Sequence, residues 1–191
     1  MRAAFSTPYL VSVCCWFALE VGLVVRDLLR RTARLASDRG TRGIVALSLG
    51  GSIFVGVMLR QWMPALDTPV PDAFAVAGLV LLWAGLAVRV WAVMTLGGSF
   101  STFVQADAGQ AVVTHGPYRW VRHPSYTGLL LIALGLGLGA RNWLSLLVCA
   151  VVPALGLLPR IAVEESELSR VLGEEYRGYQ RTTRRLVPGL W

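Results

Sequence analysis

The chain alternates long apolar runs with short polar ones, a rhythm that predicts membrane-crossing helices. Residues 3–25 form a first run long enough for the hydrocarbon core. They lack the basic start and small-residue cleavage site of a removable signal peptide, so they are expected to remain as a helix. Residues 44–62 and 73–96 repeat the pattern. Residues 125–140 and 143–158 are shorter, near the lower limit for crossing, and are joined by a tight Arg141-Asn142 turn, so they read as a helical hairpin whose last member Pro153 should kink. The expectation is an all-α integral membrane protein of five transmembrane helices. Residues 1–72 would hold the first two helices, and residues 73–191 a second unit of three helices, a polar loop and a C-terminal helical region.

Charge orients the runs. Arg26, Arg30, Arg31, Arg34, Arg39 and Arg42 face only Asp27 and Asp38 around the first loop, which the positive-inside rule puts in the cytoplasm. Residues 64–72 carry Asp67 and Asp72 and no basic residue, which suits the opposite side. Alternation then places the N-terminus outside, and residues 97–124 and the C-terminus inside. A 55% hydrophobic, 15% charged chain with mean hydropathy +0.59 is too apolar for a soluble domain. The net charge of +7 comes with arginines at the ends of apolar runs, where they set topology, so no nucleic-acid partner is expected. All 18 basic residues are Arg, which points to a GC-rich bacterial source and an inner-membrane location. Cys14, Cys15 and Cys149 sit inside apolar runs without metal-ligand or CxxC spacing, so neither disulfide nor metal is expected, and they read as small core residues.

Three ionisable residues interrupt the runs. Glu20 should pair with an arginine or reach the headgroups, with a proton relay as the alternative. Arg89 can snorkel or meet a buried carboxylate, and Arg60 sits awkwardly near an outer end.

Two polar clusters break the apolar pattern. Residues 115–128 combine two Pro-fixed turns, two imidazoles (His115, His123) and three aromatic rings (Tyr118, Trp120, Tyr126). This is either the core of an active site or an interfacial loop with aromatics at headgroup depth and Arg119 and Arg122 on the cytoplasmic side. Gly128, Gly135, Gly137 and Gly139 beyond it suit close helix contact or the close approach of a ligand. The second cluster is a charged amphipathic segment over residues 160–173, with Ile161, Leu168 and Leu172 as its buried positions and Gly173 as its stop. Arg160 and Glu164 share one helix face, while Glu165 points about 100° away. A solvated i,i+4 ion pair would account for them equally.

The order Arg89-x-Trp91-Ala92, Thr95-Leu96-Gly97-Gly98-Ser99-Phe100, Gly116-Pro117-Tyr118-Arg119, then Arg122-His123-Pro124-Ser125-Tyr126-Thr127-Gly128 resembles the isoprenylcysteine carboxyl methyltransferase family. Arg160-x-x-x-Glu164-Glu165, Leu168, Gly173, Glu175-Tyr176, Tyr179, Arg185 and Pro188-Gly189 are similar to its C-terminal signature. The resemblance implies that residues 73–191 form a methyltransferase core enclosing S-adenosylmethionine at the cytoplasmic face, with a lipid-side opening for an apolar substrate. It implies a cofactor pocket made by Gln105, Gln110, Ala111, Val112, Val113, Tyr118, His123, Pro124, Ser125, Tyr126 and Glu164, with Arg160 holding the substrate carboxylate. At Gln110 the family often has His. The partners implied are membrane lipids and a prenylated or lipid-like substrate, small molecule or protein; no obligate protein partner is evident.

Methyl transfer from a sulfonium is an in-line displacement, so the protein must chiefly align the reactants and exclude water. A carboxylate is already ionised at neutral pH and needs no base. Amine methylation, of a phospholipid or a small amine, is the enzymatic alternative and would need one from His115, His123 or Glu165. A non-catalytic membrane scaffold is the alternative from another class.

Overall fold

The computed structural model describes residues 7–29, 40–69, 71–102 and 111–189. Arg30, Arg31, Arg34 and Arg39 of the basic loop, and Gln105 and Gln110, lie outside the described residues. Five α-helices carry the fold: α1 (Thr7–Leu29), α2 (Thr41–Trp62), α3 (Pro71–Leu96), α4 (Pro124–Gly139) and α5 (Trp143–Thr182). By length and composition α1, α2, α3 and α5 can each cross a membrane, whereas α4 is apolar with 16 residues. Their outer faces expose Phe17, Leu47, Phe54, Val76 and Met94, as a lipid-facing surface does. Cys14 and Cys15 lie on that exposed surface, so of the three cysteines expected in the core only Cys149 is buried there.

The short helix sits at the centre. α4 packs against α3 and α5, α1 packs against α3, and α2 runs along α5. Glycines set the spacing of α3 and α4. A Cβ on Gly85 would lie 2.6 Å from the Gly128 carbonyl oxygen, and one on Gly135 would lie 2.5 Å from that of Gly78. The two pairs stand seven residues apart on each helix, so antiparallel backbones touch over two turns, the small-residue packing that replaces hydrophobic drive in a membrane. Gly137 faces α5 at Cys149 and Leu146, and Gly139 faces the Tyr9 ring, so the glycine row serves helix contact. Gly85→Ala should therefore destabilise the protein by about 1–3 kcal/mol through overpacking against rigid backbone. Gly22→Ala, which meets nothing within 4 Å, should be neutral or slightly stabilising. Thermal unfolding in detergent distinguishes them, and equal midpoints would contradict the contact.

At one end of the bundle the loops interlock. The Asn142 side chain caps α5 by accepting from Leu144 N (3.1 Å) and Ser145 N (3.2 Å), and donates to Met63 O (3.0 Å) and Asp67 Oδ1 (3.2 Å). Arg60, awkward in sequence, donates to Ala140 O at 2.5 Å in the same place. The hairpin turn keeps Arg141 at φ 57°.

α5 departs from expectation. The charged segment after Pro159 is not a separate helix: α5 runs through Pro153 and Pro159 with helical dihedrals and breaks at Gly173 (φ 60°, ψ −132°). Each proline forfeits one backbone hydrogen bond, and packing against α2 holds the helix through them; a Cβ on Gly156 would lie 2.2 Å from Ser48 Oγ. Ile161 is buried, whereas Leu168 and Leu172 are half-buried and line the cavity described next. The expected stop at Gly173 is a change of direction that only glycine takes without strain, and the helix resumes beyond it.

Candidate active site

The end opposite Asn142 gathers both polar clusters. The middle of α1, the first half of α2, the end of α3 and the segment after it, the start of α4 and the middle of α5 enclose a cavity of about 490 Å³, in the range of small-molecule sites. Two walls are unlike. Tyr118, His123, Ser125, Tyr126, Glu164 and Tyr176 give a polar, aromatic side; Phe17, Val24, Val45, Leu49, Ile53 and Leu129 give an apolar side between α1 and α2. Phe17, Ala46 and Gly50 line the cavity and are exposed, so it opens sideways between those helices onto the apolar surface.

Arg160 stands where the walls meet, with only 4% of its surface exposed. Its Nε donates to Tyr126 Oη (3.0 Å), its Nη1 to Thr41 Oγ1 (3.2 Å) and its Nη2 to Thr102 O (2.8 Å). Tyr126 Oη in turn donates to Glu164 Oε2 at 2.5 Å, so a tyrosine hydroxyl bridges the two residues that share a face of α5. The Tyr126 ring stacks on His123, with centroids 5.5 Å apart. Thr102 is fixed from α1: its N donates to Asp27 Oδ2 (2.6 Å), and Arg26 Nη2 donates to Phe100 O (2.8 Å).

Glu165 faces away from the cavity into a cationic nest. Arg122 Nε donates to its Oε1 (2.8 Å), Arg185 Nε to its Oε2 (3.1 Å), and His123 Nε2 lies 3.2 Å from its Oε1. Burial alone would raise this carboxyl, but the hydrogen bonds from His123, Arg185 and Arg122 outweigh it and bring it down to about 2. The nest ties the chain together. Arg122 N and His123 N donate to Arg184 O (2.7 Å) and Arg185 O (3.0 Å), so the tail beyond α5 runs beside the start of α4.

The rim is built from the loop before α4 and the part of α5 beyond Gly173. Val112 N donates to Glu175 Oε1 (3.2 Å), and Tyr179 Oη to Tyr118 O (2.6 Å). Gly116 at φ 59° lets the loop turn against Thr95, where a Cβ would lie 2.9 Å from Oγ1. Burial, followed by the neighbouring Glu164 carboxylate, pushes the Tyr118 phenol up, so it stays protonated.

Residues 77–170 match the model of the isoprenylcysteine carboxyl methyltransferase family. A solved structure of the eukaryotic intramembrane Ras methyltransferase of that family superposes with TM-score 0.62 at 29% identity, over 78% of this chain and 52% of that one. Over these residues the chain is similar to the isoprenylcysteine carboxyl methyltransferase family. Protein-S-isoprenylcysteine O-methyltransferase A of Arabidopsis thaliana is 34% identical over 113 residues, 58% of this chain and 57% of that protein. The corresponding enzyme of Schizosaccharomyces pombe is 32% identical over 142 residues, 73% of this chain and 60% of that protein. The chain thus spans little more than half the length of these relatives.

Within this chain the sequence-predicted residues fall into three groups. Ala111, Val112, Val113, Tyr118, His123, Ser125, Tyr126, Arg160 and Glu164 line one cavity. Pro124 does not; it is buried as the first residue of α4, where its fixed φ starts the helix. Gln105 and Gln110 lie outside the described residues. His115 is exposed on the loop and is not part of the wall. Sequence reasoning missed Thr41, Thr102 and Asp27, which hold Arg160 or its partners from distant parts of the chain, and it quoted Tyr176 and Tyr179 in the C-terminal signature without placing them in the site, whose cavity they line. Only the last two carried a signal, their place in that signature.

Proposed function

We propose that the protein transfers a methyl group from S-adenosylmethionine to the carboxylate of an isoprenylated cysteine or a similar lipid-like acid. The observation that carries this reading is Arg160, a buried guanidinium at the junction of a polar aromatic chamber and an apolar groove that opens sideways. A guanidinium stays charged and matches a carboxylate with parallel hydrogen bonds, and the groove suits the chain attached to that carboxylate. In this reading residues 73–191 are the methyltransferase core, and α1 and α2 wall the groove. The polar chamber would face the cytoplasm of a bacterial inner membrane, in keeping with the arginines clustered around the first loop.

The donor set supports the cofactor. Glu164 offers a carboxylate for a ribose or amino group, and Tyr118, Tyr126 and Tyr176 offer flat faces. When bound, the cofactor supplies an electrophilic methyl group on sulfur. The chain's own part is to orient and to dry: Arg160 aims the carboxylate, Tyr126 couples it to Glu164, and the apolar wall excludes water. No protein base is needed, because the carboxylate arrives ionised. An amine acceptor would need one; His115 lies outside the wall and Glu165 is held by two arginines, which leaves His123, whose Nε2 lies 3.2 Å from Glu165 Oε1.

Isothermal titration of the purified protein with S-adenosylhomocysteine tests the cofactor assignment. Saturable 1:1 binding is expected, weakened on the order of 10–100-fold by Glu164→Gln, the loss of a charged hydrogen-bond acceptor in a water-poor site. Absence of binding to the wild-type protein would remove the methyltransferase reading.

A further inference from the structure

The chemistry above leaves one ion pair in the cavity wall unused, its arginine buried and its glutamate a quarter exposed. Arg89 of α3 is only 4% exposed, and its guanidinium forks onto Glu20 of α1, Nε to Oε1 at 2.5 Å and Nη2 to Oε2 at 2.7 Å. Its Nη1 donates to Ser125 Oγ (2.6 Å) and reaches Ser125 O (3.3 Å), while Trp16 Nε1 adds a 3.1 Å bond to Glu20 Oε1. Glu20, Arg89, Trp16 and Ser125 all line the cavity. The pair is thus a single bolt between α1, on the apolar side, and the first turn of α4, beside Tyr126.

Stability alone does not explain it. Two charges taken out of water are costly, and a well-packed apolar pair at the same place often holds helices together as well or better. What an apolar pair lacks is direction, because a bidentate guanidinium–carboxylate fork fixes distance and rotation together. α1 has need of such fixing. It packs against α3 and, through the Tyr9 ring near its start, against Gly139 of α4, and beyond that it faces α2 across the groove. The position of α1 therefore sets the width of the groove. Glu20 also lies before the residues that match the family model, 77–170.

We infer that the Glu20–Arg89 fork is a positioning device that fixes α1 as one wall of the apolar groove, and so sets affinity for the lipid chain of the substrate without taking part in methyl transfer. This rests on the reading that the groove holds that chain. Glu20 and Arg89 are positioning residues: they act through the wall they hold. Loss of the fork widens the groove, weakens chain binding, and blurs discrimination between chains of different length.

The test uses the full chain in lipid bilayers, with N-acetyl-S-geranyl-, S-farnesyl- and S-geranylgeranyl-cysteine as acceptors. Glu20→Gln, which keeps a side chain of the same shape without the charge, should raise KM for the farnesyl acceptor about tenfold, about one hydrogen-bonded ion pair's worth of affinity. It should flatten the dependence of KM on chain length and leave kcat and S-adenosylhomocysteine affinity within about twofold of wild type. Glu20→Asp, with the charge kept on a shorter stem, should fall between, and it serves as the test if Glu20→Gln does not fold. Unchanged KM values across the three acceptors would overturn the inference. So would a parallel fall in cofactor affinity, which would make the fork a scaffold for Ser125 and α4. Failure of the wild-type protein to methylate any of the acceptors would strike the functional reading itself, and is thereby distinguished from failure of the fork.

Discussion

Arg160→Lys is expected to lower kcat/KM for a prenylcysteine acceptor by on the order of 10–100-fold while S-adenosylhomocysteine affinity stays nearly unchanged. Lysine keeps the charge. It cannot present two parallel N–H groups to a carboxylate, nor reach Tyr126, Thr41 and Thr102 from three edges at once, as the guanidinium does. Arg160→Ala should be worse, because it removes the cation and leaves the Thr102 carbonyl and the Tyr126 hydroxyl short of a donor in a buried site. The pair of variants separates two accounts. If Arg160 only braced the Tyr126–Glu164 bond, both substitutions would weaken the cofactor site together. Unchanged turnover in Arg160→Ala would eliminate the carboxylate assignment and move amine methylation to first place.

Glu165→Gln should destabilise the fold far more than Glu164→Gln, by about 3–5 kcal/mol, because it strands Arg122 and Arg185 around a neutral amide. Glu164→Gln should instead act on cofactor affinity, since its carboxylate lines the cavity and Glu165 lies outside it. Acidity provides a second check. The folded-state carboxyl of Glu165 lies near 2, below the roughly 4.3 of an unfolded glutamate. Its contribution is then fully present above about pH 4.3 and is lost as the pH falls toward 2. Between those values the wild-type protein should lose stability more steeply than Glu165→Gln. Unfolding midpoints measured at several acidic pH values read this directly, and parallel curves for the two proteins would contradict the nest.

The apolar rhythm carried most of the fold. Runs of the right length announced the membrane helices. The glycines at 128 and 135 were legible as contact residues, but their partners Gly78 and Gly85 were not, because pairing across helices depends on register and no local pattern reports it. The continuity of α5 was hidden for a related reason: Pro153 and Pro159 argue locally for a break, and only packing against α2 carries the helix past them. At the site, the shared helix face of Arg160 and Glu164 followed from 3.6-residue periodicity, and so did the different direction of Glu165. The tyrosine between Arg160 and Glu164, the arginines around Glu165, and the fork from Arg89 to Glu20 join residues far apart in the chain, where spacing says nothing.

In the proposed function a carboxylate on a lipid chain receives the methyl group. Incubation of the protein in bilayers with methyl-labelled S-adenosylmethionine and N-acetyl-S-farnesylcysteine tests it directly, because a methyl ester releases its label as methanol in mild base while an N-methyl product does not. The account predicts base-labile label on the acceptor with wild-type protein and a near-complete loss of that label with Arg160→Ala. Base-stable label, or base-labile label that survives Arg160→Ala undiminished, would contradict it.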